Sequence, residues 1–281
     1  MTFMKSLHDV CAPAKLNLFL HIVGRRPDGY HLLESVFLLI DWCDILHFEL
    51  RSSSQLSRED LSTPLPDDDL VLRAARVLQQ VSGTRQGAHI VIDKRIPTQA
   101  GMGGGSSDAA STLLALNRLW NLKIGLAELL TLGLQLGADV PFFLGGKNAF
   151  VTGIGEKLAP VAVSPGRYLV IKPAQGVATG RIFSDPLLKR DSEPTIIAGF
   201  AADVDGFGRN DLQDIARQFC PGIDLAVDWL GRQGLTGRMT GSGSAVFAKL
   251  LQDIVPDGLP ESFQFKVCSS LPVHPLVGWA V

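Results

Sequence analysis

The sequence predicts an α+β fold in two domains, and three observations predict it. Strand-like segments come in runs, mixed with helical ones but without a regular βαβ alternation, which favours antiparallel pairing over a doubly wound sheet. The chain has 281 residues, more than the ~150 usual for one domain. A stretch rich in small residues and proline, APVAVSPG at 159–166, supplies a boundary, so the expected units are 1–160 and 161–281. With 46% hydrophobic and 19% charged residues, the chain can fill such cores and is not of the disordered class.

Each element follows from its local pattern. In AKLNLFLHIV (14–23) Leu16, Leu18, Leu20 and Ile22 point one way and Lys15, Asn17, Phe19 and His21 the other. Period two predicts a strand with one buried face. Pro-Asp-Gly within RRPDGYH (25–31) predicts a hairpin loop. VFLLI (36–40) and DILHFELR (44–51) read as two strands, and the polar, proline-interrupted 52–68 as loop. From Asp69 the period changes: Leu70, Ala74, Val77, Leu78 and Val81 recur at three and four, and Gly83 is a natural stop. These predict a helix of about 13 residues.

HIVIDKRI (89–96) is a strand closed by Pro97, after which a glycine loop enters an Ala/Leu-rich helix. Ser106, Ser107 and Asp108 suit the capping of its start. A further helix over 126–136 ends at Gly137, and NAFVTGIGEKLAP reads as strand, turn, strand. In the second unit, RYLVIKP (167–173) is a strand, helical patterns occupy 211–219 and 222–233, and RMTGSGSAVFAKL places a glycine turn between apolar segments.

Composition narrows the function. The net charge is −2, whereas a protein gripping nucleic acid through its phosphates carries a basic excess. Cys11, Cys43, Cys220 and Cys268 show no metal-like spacing and are expected as reduced, mostly buried thiols of a cytoplasmic protein. MTFMKSLHDV carries no signal-peptide pattern, and the longest apolar stretches, such as VFLLI, fall far short of the ~20 residues that span a bilayer. No membrane association is expected.

Glycine is the outlier, at 29 residues against an average of about 7%. Gly101-Met102-Gly103-Gly104-Gly105 leaves several main-chain N–H groups free to converge on one anion. A helix starting near Ser106 adds its positive end, so a polyphosphate is the expected ligand. Two common phosphate motifs fail. Gly146-Lys147 is followed by Asn148 rather than Ser or Thr. A GxGxxG beginning at Gly101 meets Ser106, with no acidic residue near Trp120-Asn121.

The segment that fits is PTQAGMGGGSSDAA (97–110), which resembles the phosphate-binding motif of the GHMP kinases. PAKLNLFLHIVGRRPDGYH (13–31), LGADVPFFLGG (136–146) and TGSGSAVFA (240–248) are similar to motifs of one branch of that family, in the expected order and spacing. The resemblance implies an N-terminal domain like ribosomal protein S5 domain 2 and a ferredoxin-like C-terminal α/β sandwich. It implies transfer of the ATP γ-phosphate to a hydroxyl of a cytidine diphosphate-linked methylerythritol, in non-mevalonate isoprenoid precursor synthesis. ATP would arrive as its magnesium complex, with no prosthetic group and no metal ligand assigned to the chain. The protein is expected as a monomer or weak dimer.

The same resemblance assigns residues. Pro97, Thr98, Gln99, Ala100, Gly101, Met102, Gly103, Gly104, Gly105, Ser106 and Ser107 would bind ATP. Asp139, next to the rigid Val140-Pro141, would be the base for the hydroxyl proton. Lys15 would lie beside it and stabilise an emerging alkoxide. Asn17, on the same strand face as Lys15, would hold the diol, Tyr30 and Phe183 would sandwich the cytosine, and His31 would bond its edge. Gly241, Ser242 and Gly243 would bring a second backbone segment to the reacting centre. Asn210-Asp211 is read as a helix cap and Asp108 as a helix-start residue. Where the family shows Asn-Leu at the first long helix, this chain has Asp69-Leu70, and an ionised Asp cannot donate a hydrogen bond. Another small-molecule GHMP kinase is the alternative within enzymes; the DGYH and Phe183 aromatics argue against it. An RNA-binding module is opposed by the charge, and an NAD-dependent oxidoreductase by the failed fingerprint.

Overall fold

The computed structural model describes residues 4–195, 197–203 and 206–280. The N-terminal sheet is built on a long antiparallel hairpin of β1 (Ser6–Arg25) and β2 (His31–Arg51). With β3 (Leu56–Asp60), β4 (Gly87–Asp93), β5 (Ala149–Thr152) and β6 (Lys157–Pro160) it runs in the order β3-β4-β2-β5-β6, β1 pairing with β2. The second sheet joins β7 (Arg167–Lys172), β8 (Arg238–Met239), β9 (Val246–Leu250) and β10 (Gln264–Ser269) in the order β10-β7-β9-β8.

Helices α1 (Leu70–Ser82), α2 (Gly104–Leu119), α3 (Leu126–Leu136) and α4 (Val140–Gly145) share one apolar cluster with Phe37, Leu39, Ile90 and Ile92 of the first sheet. On the opposite face Leu16, Leu18, Leu38 and Ile40 pack with Tyr168, Val170 and Phe247 of the second sheet. Beyond that sheet, Leu169 and Ile171 meet α7 (Gln213–Phe219) and α8 (Gly222–Arg232) through Ile215, Ile223 and Trp229. The order of layers is therefore helices, sheet, sheet, helices. Two short helices, α5 (Thr179–Ser184) and α6 (Ile197–Ala202), lie between β7 and α7 in the chain.

The predicted α1 and α3 agree with the structure: Asp69 Oδ1 caps α1 by accepting from Leu72 N, and Gly83 ends it in the left-handed region at φ +65°. Other expectations are corrected. The first strand is buried on both faces, with Lys15 3% and Asn17 1% exposed, because the helices cover one side and the second sheet the other. The two strands expected over 36–51 are one strand, β2, whose ladder to β1 absorbs the irregularity at Ile40–Cys43 as a register shift. Part of the expected loop 52–68 is β3, which pairs in parallel with β4. Its sequence, LSRED, has no apolar alternation to betray it. Cys11 and Cys43 are not free thiols. They meet across β1 and β2 with Cα atoms 5.8 Å apart and are disulfide-bonded, leaving Cys220 and Cys268 free and buried. Residues 32 apart in sequence carry no local sign of that pairing.

Candidate active site

A cavity of about 720 Å³ opens where the glycine loop, β1 and the turn between β8 and β9 converge. The loop leaves β4 through Pro97 and passes Gln99, Gly101 and Gly103 at φ +51°, +73° and +72°. Gly101 and Gly103 need no Cβ there, and Gly103 itself caps α2 without a side chain. Main chain stitches the loop on both sides. Lys15 N donates to Met102 O at 3.0 Å, Ser244 N to Gln99 O at 3.1 Å and Ala245 N to Ala100 O at 3.2 Å. Backbone approaches backbone so closely that a Cβ on Gly101 would lie 2.1 Å from Thr240 O, and one on Gly241 2.5 Å from Gly101 O.

Lys15 and Asp139 face each other across this cavity, with Lys15 Nζ 3.6 Å from Asp139 Oδ2. Lys15 also donates to Asn17 Oδ1 and lies 4.4 Å from the centroid of the Phe37 ring. Asn17 is locked in turn, donating through Nδ2 to Ser35 Oγ at 2.8 Å and through its main-chain N to Thr240 Oγ1 at 2.9 Å. Burial pushes the Lys15 ammonium below the ordinary lysine range, and the Asp139 charge pulls it back up. Asp139 stands at the N-cap position of α4 without using its side chain as a cap, and that side chain is 30% exposed. ADVPFF, whose secondary structure the sequence leaves open, is thus a tight passage from α3 into a short helix with Pro141 in its first turn.

An adjoining pocket of about 500 Å³ is lined by Tyr30, His31, Leu33 and Phe183. The His31 and Phe183 rings are 5.0 Å apart, while Tyr30 is 60% exposed at the rim. Arg190 Nε donates to His31 Nε2 at 3.0 Å. Burial, Arg190 and Arg25 hold the imidazole below its usual pKa, so the neutral ring carries its proton on Nδ1 and offers it as a donor. Sequence gave no sign of Arg190, which sits in a polar loop.

Pro97 to Ser106 all line the large cavity, together with Phe183, Gly241, Ser242 and Gly243. Ser107 does not: it is fully buried, and its N–H donates to Gly103 O at 2.9 Å. The capping expected of Ser106, Ser107 and Asp108 is corrected as well, since α2 already starts at Gly104 and all three lie within it. Asp108 instead pairs with Lys94 at 2.7 Å. Asp69, the departure from the family pattern, is engaged twice, as the α1 cap and in an ion pair with Arg58 Nη1 at 2.6 Å. Asn210 does more than cap: its Nδ2 donates to Met239 O at 2.7 Å and Gly241 O at 2.8 Å, holding the second glycine segment against the first. Asp211 Oδ2 accepts from Ile22 N at 2.8 Å.

A main-chain cradle opening onto a carboxylate–ammonium couple defines a phosphotransferase-type site, and comparison with known proteins gives its class. Residues 69–147 match the GHMP kinases N terminal domain and 196–250 the GHMP kinases C terminal. A 4-diphosphocytidyl-2-C-methyl-D-erythritol kinase of Albidiferax ferrireducens is 68% identical, covering 99% of this chain and 97% of its own. That of Variovorax paradoxus is 59% identical, covering 99% and 100%. A crystal structure of 4-(cytidine 5'-diphospho)-2C-methyl-D-erythritol kinase superposes with TM-score 0.77 at 33% identity, covering 92% of this chain and 98% of that one. A homoserine kinase from Cytophaga hutchinsonii, at 16% identity and TM-score 0.73, shares the fold. The chain belongs to the GHMP kinases, in the 4-diphosphocytidyl-2-C-methyl-D-erythritol kinase family.

Proposed function

We propose that this protein transfers the γ-phosphate of ATP to the 2-hydroxyl of 4-diphosphocytidyl-2-C-methyl-D-erythritol, giving the 2-phosphate and ADP in isoprenoid precursor synthesis. The observation that carries it is the Lys15–Asp139 pair facing the cavity that the glycine loop lines. The triphosphate lies along the main-chain N–H groups from Gly101 to Gly105, at the positive end of α2. Asp139 takes the hydroxyl proton, the freed oxygen attacks the γ-phosphorus, and the bond to the β-phosphate oxygen breaks as ADP leaves. The Lys15 ammonium offsets the charge growing on the attacking oxygen, in a step that depends on positioning and electrostatics. Magnesium comes with the nucleotide as part of that substrate; among the described residues no three His, Cys, Asp or Glu side chains gather as a metal site.

The pyrimidine occupies the smaller pocket between Tyr30 and Phe183, with His31 Nδ1–H directed to its edge. Stacking is worth ~1–3 kcal/mol per base. Tyr30→Ala is therefore expected to raise KM for the cytidylyl alcohol about tenfold while KM for ATP stays put; a joint rise in steady-state assays would remove the stacking role. The alkaline limb of kcat is expected below the ordinary lysine range. Burial lowers Lys15, so its proton is lost as pH rises, and with it the charge facing the nascent alkoxide. A limb at or above the ordinary lysine value of 10.5 would contradict that assignment.

Near residue 160 the chain passes from the nucleotide-binding unit to the second one. The enzyme acts in the cytoplasm as a monomer or weak dimer, without nucleic acid or membrane; no helix among the described residues is long and apolar enough to cross a bilayer. A coupled ADP-release assay with the cytidylyl alcohol, mevalonate, homoserine and galactose tests the whole reading. Turnover is expected with the first alone, and preference for any other would overturn the substrate.

A further inference from the structure

Three buried ionisable side chains hold the neck of the glycine loop, away from the couple at Asp139. Lys94 follows β4 directly, Asp44 lies in β2, and Asp108 lies in the first turns of α2. Lys94 Nζ donates to Asp44 Oδ2 and, at 2.7 Å, to Asp108 Oδ2. The three side chains are 5%, 0% and 2% exposed. Asp44 Oδ1 accepts from the main-chain N of Arg95 at 2.6 Å and of Ile96 at 2.8 Å, which fixes the bend that carries the chain off the sheet. A Cβ on Gly104 would lie 3.4 Å from Lys94 Nζ and 3.5 Å from Asp44 Oδ2. One ammonium thus joins the entrance of the loop at 94–96 to its exit at 104–108.

We infer that Lys94 is a positioning residue for the phosphate loop, and that Asp108 is the arm through which it sets the direction of the loop amides. This rests on the loop being the nucleotide cradle. The clasp carries two carboxylates for one ammonium. Burial, with Asp44 alongside, holds Asp108 well above the usual carboxylate range against the pull of Lys94, and Asp108 Oδ1 has no hydrogen-bond partner. What Asp108 supplies is therefore its contact with Lys94, whereas any charge it carries when ionised disfavours a nearby triphosphate. The two effects have opposite signs on nucleotide affinity, so they can be told apart.

Calorimetric binding of MgADP and steady-state kinetics on two variants make the separation. Asp108→Ala removes the arm yet leaves Lys94 balanced by Asp44, and Ala suits a helix. It is expected to weaken MgADP binding and raise KM for ATP about tenfold, with kcat at saturating ATP and KM for the alcohol within about twofold. Asp108→Asn removes the ionisable group but keeps an acceptor for Lys94, and is expected to bind nucleotide as tightly as the parent protein or more so. Unchanged or tighter binding by the Ala variant would overturn the inference, leaving Asp108 as a mere repulsive charge. A fall in kcat at constant KM would overturn it too, by placing the group at the reacting atoms. So would an Ala variant that does not fold, since the clasp would then hold the whole domain rather than the loop. Failure of the cradle reading shows separately, as parent protein that does not bind MgADP.

Discussion

Asp139→Asn lowers kcat by about 10²–10⁴-fold, the range of a positioned general base, and leaves the protein folded. The amide matches the carboxylate in shape but cannot accept the hydroxyl proton. The fold survives because the side chain makes no capping bond to α4 and is 30% exposed. Some stability is nonetheless expected to be lost, about 1–3 kcal/mol, because the amide leaves the buried Lys15 ammonium without its opposite charge. KM for both substrates should move little, since neither phosphate cradle nor pyrimidine pocket is touched. Lys15→Ala is expected to lose turnover similarly, and with some stability, because its 3%-exposed side chain fills space beside Phe37 and Gly103. Near-parental kcat in Asp139→Asn, measured by single-turnover phosphoryl transfer, would remove the carboxylate from the mechanism.

Gly101→Ala weakens nucleotide binding about 100-fold or more through the main chain alone. The new methyl would lie 2.1 Å from Thr240 O and 2.8 Å from Gly243 N, both backbone atoms that cannot rotate away. The residue also sits at φ +73°, where an L side chain is strained. The loop must move to relieve the clash, and a displacement of the order of 1 Å at a reacting centre costs about 100-fold. Affinity for MgADP should fall by about that factor or more, with a loss of stability of about 2–4 kcal/mol. Gly105→Ala is the control for stability: its methyl meets Leu70 Cδ1 at an ordinary 3.5 Å. Parental nucleotide affinity in Gly101→Ala would show that the two glycine segments are not in contact in solution.

What could be read from the sequence was local. The capped α1, the glycine loop and α3 each announce themselves within a few neighbouring residues, through period, caps or glycine, while the role of Asp139 rests on the family resemblance. The rest depends on residues that only folding brings together. Arg190 reaches His31 across 159 positions and Asn210 reaches Gly241 across 31, and neither leaves a trace in local pattern. Lys15 read as one polar member of a half-exposed strand because the second sheet that buries β1 is formed by residues 167–269. The short β3 was missed because its place is set by the parallel ladder to β4 rather than by its own side chains.

The proposed nucleotide cradle and the segment facing it are built from main-chain amides that every residue but proline possesses, pressed together at glycines. Their hydrogen-bonding surface is therefore not spelled out by side chains, and a single codon change can block it but not re-address it. An inhibitor anchored on those amides would leave few routes to drug resistance. Escape through the aromatic end would cost activity, since the exposed Tyr30 ring is proposed to stack on the substrate.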